Sequence, residues 1–170
     1  MKKSSIFVAI LMGSDSDLPT MQMTIETLRE FGIRTEVRIT SAHRTPAATH
    51  AYVKDAEKRG CAVFIAAAGL AAHLAGTVAG LTVRPVIGVP MDGGPLSGMD
   101  ALLSTVQMPG GVPVACVAIG EAGARNAGYL AAQVLALADP GLARKLKNDR
   151  ERTARAIAAK DQAIQKQLGR

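Results

Sequence analysis

The 170-residue chain predicts an α/β fold, with helices on both faces of a central parallel sheet. Two patterns carry this expectation. Short apolar runs of strand length alternate with segments of helical spacing along the chain, the mark of repeated strand–helix units. The first of those runs is uninterrupted rather than alternating in polarity, as a strand buried on both faces requires. Composition agrees: 48% of residues are apolar but only 3% aromatic, with no Trp. A core of Ala, Val, Leu, Ile and Gly suits close helix-on-sheet packing. The length fits one α/β domain over residues 1–139, able to bury a good core, followed by a helical arm over residues 140–170.

Residues 6–12 form the first apolar run, broken by the small polar stretch 13–17. Leu18, Met21, Ile25 and Leu28 then recur at helical spacing, with Asp17 and Pro19 as start signals. Phe31 and Gly32 close that helix. The second unit repeats the scheme: a strand at 35–39, a loop from Ser41, and a helix that Thr45 can cap and Pro46 can open, running to Gly60. His50 falls inside it, structural or exposed. The third unit has a strand at 62–67, a turn at Ala68 and Gly69, and a small-residue helix over 71–81. A fourth strand at 85–89 leads into a Gly- and Pro-rich connection over 90–97. A short helix at 99–106, a fifth strand at 114–119 and an Ala-rich helix at 123–138 complete the domain.

The arm carries only a thin apolar stripe, Leu142, Leu146, Ile157, Ile164 and Leu168, on a charged rod. Such a helix wants a neighbour to pack on, which favours an arm on another subunit over a solvated tail. It also holds the whole net charge of +6: residues 144–170 contain nine Lys or Arg and three Asp or Glu, and the remainder eleven of each. A neutral globular part without aromatic stacking faces argues against a nucleic-acid partner. No apolar run reaches membrane-spanning length, and the amino end lacks signal-peptide flanks, so a cytoplasmic protein without a membrane partner is expected. Cys61 and Cys116 are far apart, without metal-ligand spacing, and read as buried reduced thiols.

Three loops at the carboxyl ends of strands carry the chemistry, the edge where open α/β sheets bind ligands. The first supplies Ser14, Ser16 and Asp17. The second supplies Ser41, His43 and Arg44. The third supplies Ala68, Gly69 and, a turn into its helix, His73. Taken alone, Ser41 to Arg44 also fits a capped turn with a solvated charge; a second loop of the same kind tips the balance. Hydroxyls, helix-start amides and one Arg can hold a phosphate without a metal or a P-loop lysine. Asp17 can accept from sugar hydroxyls or cap a helix, and spacing does not choose between these roles. His43 can move a proton near neutral pH. No nucleoside-triphosphate loop, dinucleotide loop, nucleophile elbow or zinc spacing occurs. The small apolar stretch 66–76 around His73 packs helix on sheet and can also line a dry pocket for a small neutral intermediate.

At these residues the chain resembles a known family. Met-Gly-Ser-Asp-Ser-Asp (12–17), Ser-Ala-His-Arg-Thr-Pro (41–46), Ala-Gly-Leu-Ala-Ala-His-Leu (68–74), Pro-Val-Ile-Gly-Val-Pro (85–90), Val-Gln-Met-Pro-Gly-Gly-Val-Pro-Val-Ala (106–115) and Asn126-Ala127 are similar, in register, to class I 5-(carboxyamino)imidazole ribonucleotide mutases of purine biosynthesis. The resemblance implies a flavodoxin-like three-layer α/β/α domain, a homo-octamer, and an isomerase needing neither cofactor nor metal. The reaction it implies moves a carboxylate from the exocyclic nitrogen of an imidazole ribonucleotide to ring carbon C4. It makes His43 the general acid/base and places Ser14, Asp17, Ser41 and Arg44 at the substrate; His73 matches the pocket's second histidine. Leu70 stands where the family usually has Gly and Ala75 where it usually has Pro, and the 91–95 segment is unfamiliar. These departures bear on pocket shape. Two other readings compete: a direct carboxylase of the aminoimidazole using carbon dioxide, and a non-catalytic nucleotide-phosphate sensor. Arg44 and the Gly-Leu-Ala-Ala stretch argue against the first, and the retained His43 against the second.

Overall fold

The computed structural model describes residues 6–169. In chain order it contains β1 (Phe7–Met12), a single 3-10 turn (Asp15–Asp17), α1 (Leu18–Glu30), β2 (Thr35–Ile39), α2 (Pro46–Lys58), β3 (Cys61–Ala68), α3 (Leu74–Ala79), β4 (Val86–Pro90), α4 (Met99–Val106), β5 (Ala115–Cys116), α5 (Gly120–Ala136) and α6 (Pro140–Gln167). All five strands are parallel, in the order β2-β1-β3-β4-β5. That order is flavodoxin-like. The chain leaves β1 to one side for β2 and returns to the other side for β3. The carboxyl ends of β1 and β3 therefore flank the switch point where such sheets bind ligands.

All six residues of β1 and all five of β4 are buried, as the apolar runs predict. Phe7, Ala9 and Leu11 share one cluster with Phe64 and Ala66 of β3, Val53 and Ala56 of α2, and Leu74 and Val78 of α3. Val8, Ile10 and Ile65 alternate to the other face and are equally buried. Helix α1 is locked to α5 by the Thr24 hydroxyl, which donates to the Ala124 carbonyl at 2.6 Å, and by an edge-to-face contact of Phe31 with Tyr129. A first compact unit ends at Ala131 and a second begins at Ala132. In the second, the Asp139 carboxylate caps α6 by accepting from the Gly141 and Leu142 amides at 2.9 and 3.1 Å. Leu142 is buried there, while Ile157, Ile164 and Leu168 are exposed.

Three elements depart from expectation. The fifth strand was expected over 114–119 but pairs only through Ala115–Cys116. Val117 donates to the Gly88 carbonyl, and the next rung of a parallel ladder would need an N–H at position 90. Pro90 has none, so the ladder stops. The third helix begins at Leu74 rather than at 71, because Leu70 takes a left-handed φ of 56° and His73 donates back to Ala71 at 2.8 Å. Helix α5 starts at Gly120, not 123. Cys61 and Cys116 are both free thiols; Cys61 is buried as expected but Cys116, on the edge strand, is only half-buried. Among the described residues, no helix is long and apolar enough to cross a membrane.

Candidate active site

A cavity of about 600 Å³ opens at the carboxyl ends of β1 and β3, and all nine residues expected at the site line it. Each loop has its own local reason for its shape. After β1, the Ser14 hydroxyl accepts from the Ser16 amide at 3.3 Å while Asp17 accepts from the Ser14 amide at 3.1 Å, a reciprocal capping box. Asp17 therefore closes its own loop and caps nothing in α1. Burial raises its carboxyl above the ordinary value, against the lowering pull of the Ser14 and Gly13 amides.

The second loop is anchored by the Thr40 amide, which donates to the Met12 carbonyl at 2.9 Å, and by a buried hydroxyl pair, Thr40 with Thr49, at 2.6 Å. Thr45 stands at the N-cap of α2, but its side chain makes no capping bond to the helix. Its hydroxyl accepts instead from the Ser41 amide at 2.9 Å, while the Ser41 hydroxyl accepts from the Arg44 amide at 3.1 Å. The expected helix cap is thus a loop clamp. It fixes the backbone of 41–45 and leaves the Arg44 side chain exposed, with no acceptor engaging its guanidinium among the described residues.

The third loop brings His73 to the N-cap of α3, just before the helix rather than a turn into it. There His73 Nδ1 lies 2.8 Å from His43 Nε2, with the rings 4.9 Å apart at 77°. One nitrogen must donate and the other accept, so the contact links the tautomers of the two rings and orients both. Spacing of 30 residues hid this pair in the sequence. The signal that could have found it was positional: each histidine lies in the loop that leaves a strand flanking β1.

A fourth loop completes the wall. Met91, Asp92, Gly93 and Gly94 after β4 line the cavity, as does Thr20 in the first turn of α1. The Met91 amide donates to the Ala68 carbonyl at 3.0 Å and ties this loop to the third. Neither Thr20 nor Asp92 carries a motif of its own; the Gly-rich composition of 91–95 was the one sign of an active-site loop. The cavity thus has a polar side, with Ser14, Ser41 and Arg44 able to bind an anion, and an apolar side of Ala68, Gly69, Leu74 and Met91. Two coupled imidazoles stand within the same cavity. Such a site can bind a phosphorylated ligand and move a proton next to a dry wall.

The sequence pattern of the AIR carboxylase family matches residues 7–156. An N5-carboxyaminoimidazole ribonucleotide mutase of Thermotoga maritima is 54% identical over 95% of this chain and 93% of its own length. One of the same name from Bacillus subtilis is 53% identical over 88% of this chain and 93% of its own. A crystal structure of Treponema denticola PurE superposes with a TM-score of 0.83 at 32% identity, covering 92% of this chain and 97% of that one. Sheet order, site loops and these matches over nearly the full length agree: the chain belongs to the AIR carboxylase family.

Proposed function

We propose that the protein is an N5-carboxyaminoimidazole ribonucleotide mutase of purine biosynthesis, an isomerase that moves a carboxylate from the exocyclic nitrogen to ring carbon C4. Relatives that share more than half of its residues over most of the chain carry that name. The observation that carries the mechanism is the His43–His73 contact inside a cavity with one phosphate-binding side and one apolar side. Arg44, Ser14 and Ser41 hold the phosphate, and Asp17 and Ser16 line the approach to the ribose.

His43 acts as acid and then as base. As imidazolium it gives its proton to the carbamate nitrogen; the nitrogen–carbon bond breaks, its electrons stay on nitrogen, and carbon dioxide is released. Carbon C4 of the aminoimidazole then attacks carbon dioxide, and neutral His43 removes the C4 proton as the ring regains aromaticity. The site ends as it began, so one imidazole serves both steps. Ala68 and Gly69 bound the dry side where carbon dioxide waits. His73 orients His43. The reaction needs no cofactor, and the enzyme is assigned as a cytoplasmic homo-octamer.

An ultraviolet assay of the two carboxylated ribonucleotides on wild type and His43→Asn tests this reading. Wild type should interconvert them without bicarbonate; His43→Asn should lose turnover by at least about a hundredfold while substrate affinity stays within about tenfold. Turnover by wild type only from the aminoimidazole with bicarbonate would make it a direct carboxylase. Binding without turnover would make it a sensor.

A further inference from the structure

Leu70 is in an unusual state. It is a non-glycine residue with φ of 56° and is 54% exposed although large and apolar. Glycine would take that backbone without strain, so what the side chain touches is the question the site poses. It touches the facing loop. A Cβ built on Gly94 would stand 2.4 Å from Leu70 Cδ2 and, its two chain neighbours aside, within 4 Å it would meet only Leu70 atoms. Gly94 is itself left-handed, with φ of 83°, and its neighbour Gly93 faces open space. The isobutyl group thus lies against the Gly94 backbone, reaching from the β3–α3 loop to the β4–α4 loop. Both residues line the same cavity, beside Ala68, Gly69 and Met91.

We infer that Leu70, seated against Gly94, is a positioning residue that closes the apolar side of the cavity and retains carbon dioxide between the two halves of the carboxylate transfer. The inference rests on the mutase reading above. A neutral, weakly solvated molecule cannot be held by charge, so only a continuous wall keeps it beside C4. Gly93 and Gly94 carry no side chain that could take the place of the isobutyl group. The left-handed backbone at Leu70 carries the group toward Gly94.

The test is the fate of the carboxyl group. Wild type, Leu70→Gly and Leu70→Met are each supplied with the carbamate substrate in medium containing carbon-13 bicarbonate and carbonic anhydrase. Free aminoimidazole and product label are both read per mole of substrate consumed, after subtracting the enzyme-free rate. That ratio does not change if part of a variant fails to fold. Leu70→Gly should raise both the free aminoimidazole and the label in product at least threefold over wild type, and Leu70→Met should stay near the wild-type ratio. Equal ratios in wild type and Leu70→Gly would overturn the role given to Leu70. Failure of wild type itself to consume the carbamate would instead overturn the mutase reading.

Discussion

Arg44 owes its value to being held by its backbone and left free at its tip. The Ser41 and Thr45 hydroxyls fix the loop without using the guanidinium. Arg44→Lys keeps the charge but loses the planar fork, so KM should rise about tenfold with kcat less affected. Initial rates against substrate concentration would show it, and an unchanged KM would remove Arg44 from phosphate binding. Asp17 makes a different prediction. Burial raises its carboxyl above the ordinary 3.8, so the folded state keeps the proton to higher pH than the unfolded state. Its stabilising contribution is complete below pH 3.8 and is lost as pH rises through the folded value. Asp17→Asn, still able to accept from the Ser14 amide, should melt with wild type in acid and gain relative to it as pH rises. A variant that loses ground with rising pH would contradict this.

At the scale of elements, β2 is tied to α2 by Arg59, which bridges Glu36 at 2.5 Å and Asp55 at 2.6 Å. The Arg59 partner lowers the Glu36 carboxyl below its ordinary 4.5. The sign is opposite to that of Asp17: the contribution is present above pH 4.5 and lost as pH falls through the lowered folded value. The melting-temperature gap between wild type and Glu36→Gln should therefore be open near pH 6 and close in acid. Strand β4 gives a packing prediction. A Cβ at Gly88 would lie 2.4 Å from Thr105 Cγ2, 3.0 Å from Val114 Cγ1 and 3.2 Å from Ala75 Cβ. Gly88→Ala should cost about 1–3 kcal/mol in chemical denaturation, since none of these neighbours is the end of a flexible chain.

Strands and helices were legible because burial on both faces writes continuous apolar runs and half-burial writes helical spacing. What stayed illegible depends on partners. The end of β5 is decided by Pro90, in the neighbouring strand, and the start of α3 by the backbone turn at Leu70. The nine residues expected at the site line one cavity because each stands at or shortly after the carboxyl end of a strand. The His43–His73 contact could not be read, since it needs the strand order. Thr45 shows the same limit: its type and place signal a helix cap, yet its hydroxyl is taken by Ser41.

For the whole molecule, the uneven charge is the most telling quantity. The whole net positive charge lies in residues 144–170 of the sequence, and in and just after α6 the side chains of Ile157, Ile164 and Leu168 are exposed. As proposed for a homo-octamer, those side chains need a neighbouring copy. Light scattering should give a closed oligomer, and truncation after Asp139 should lower its mass or its melting temperature. A full chain that scatters as a monomer at micromolar concentration would end that proposal.

The strand order also sets a timetable. His43 follows β2 and His73 follows β3, and these strands lie on opposite sides of β1. The two rings cannot meet until β1 has found both neighbours, each pairing closing its own crossover. Helices can form within microseconds, but two non-local closures are slower. During refolding, helical signal should return first and catalytic competence only after the second closure, so the histidine contact doubles as a clock for completion of the sheet's centre.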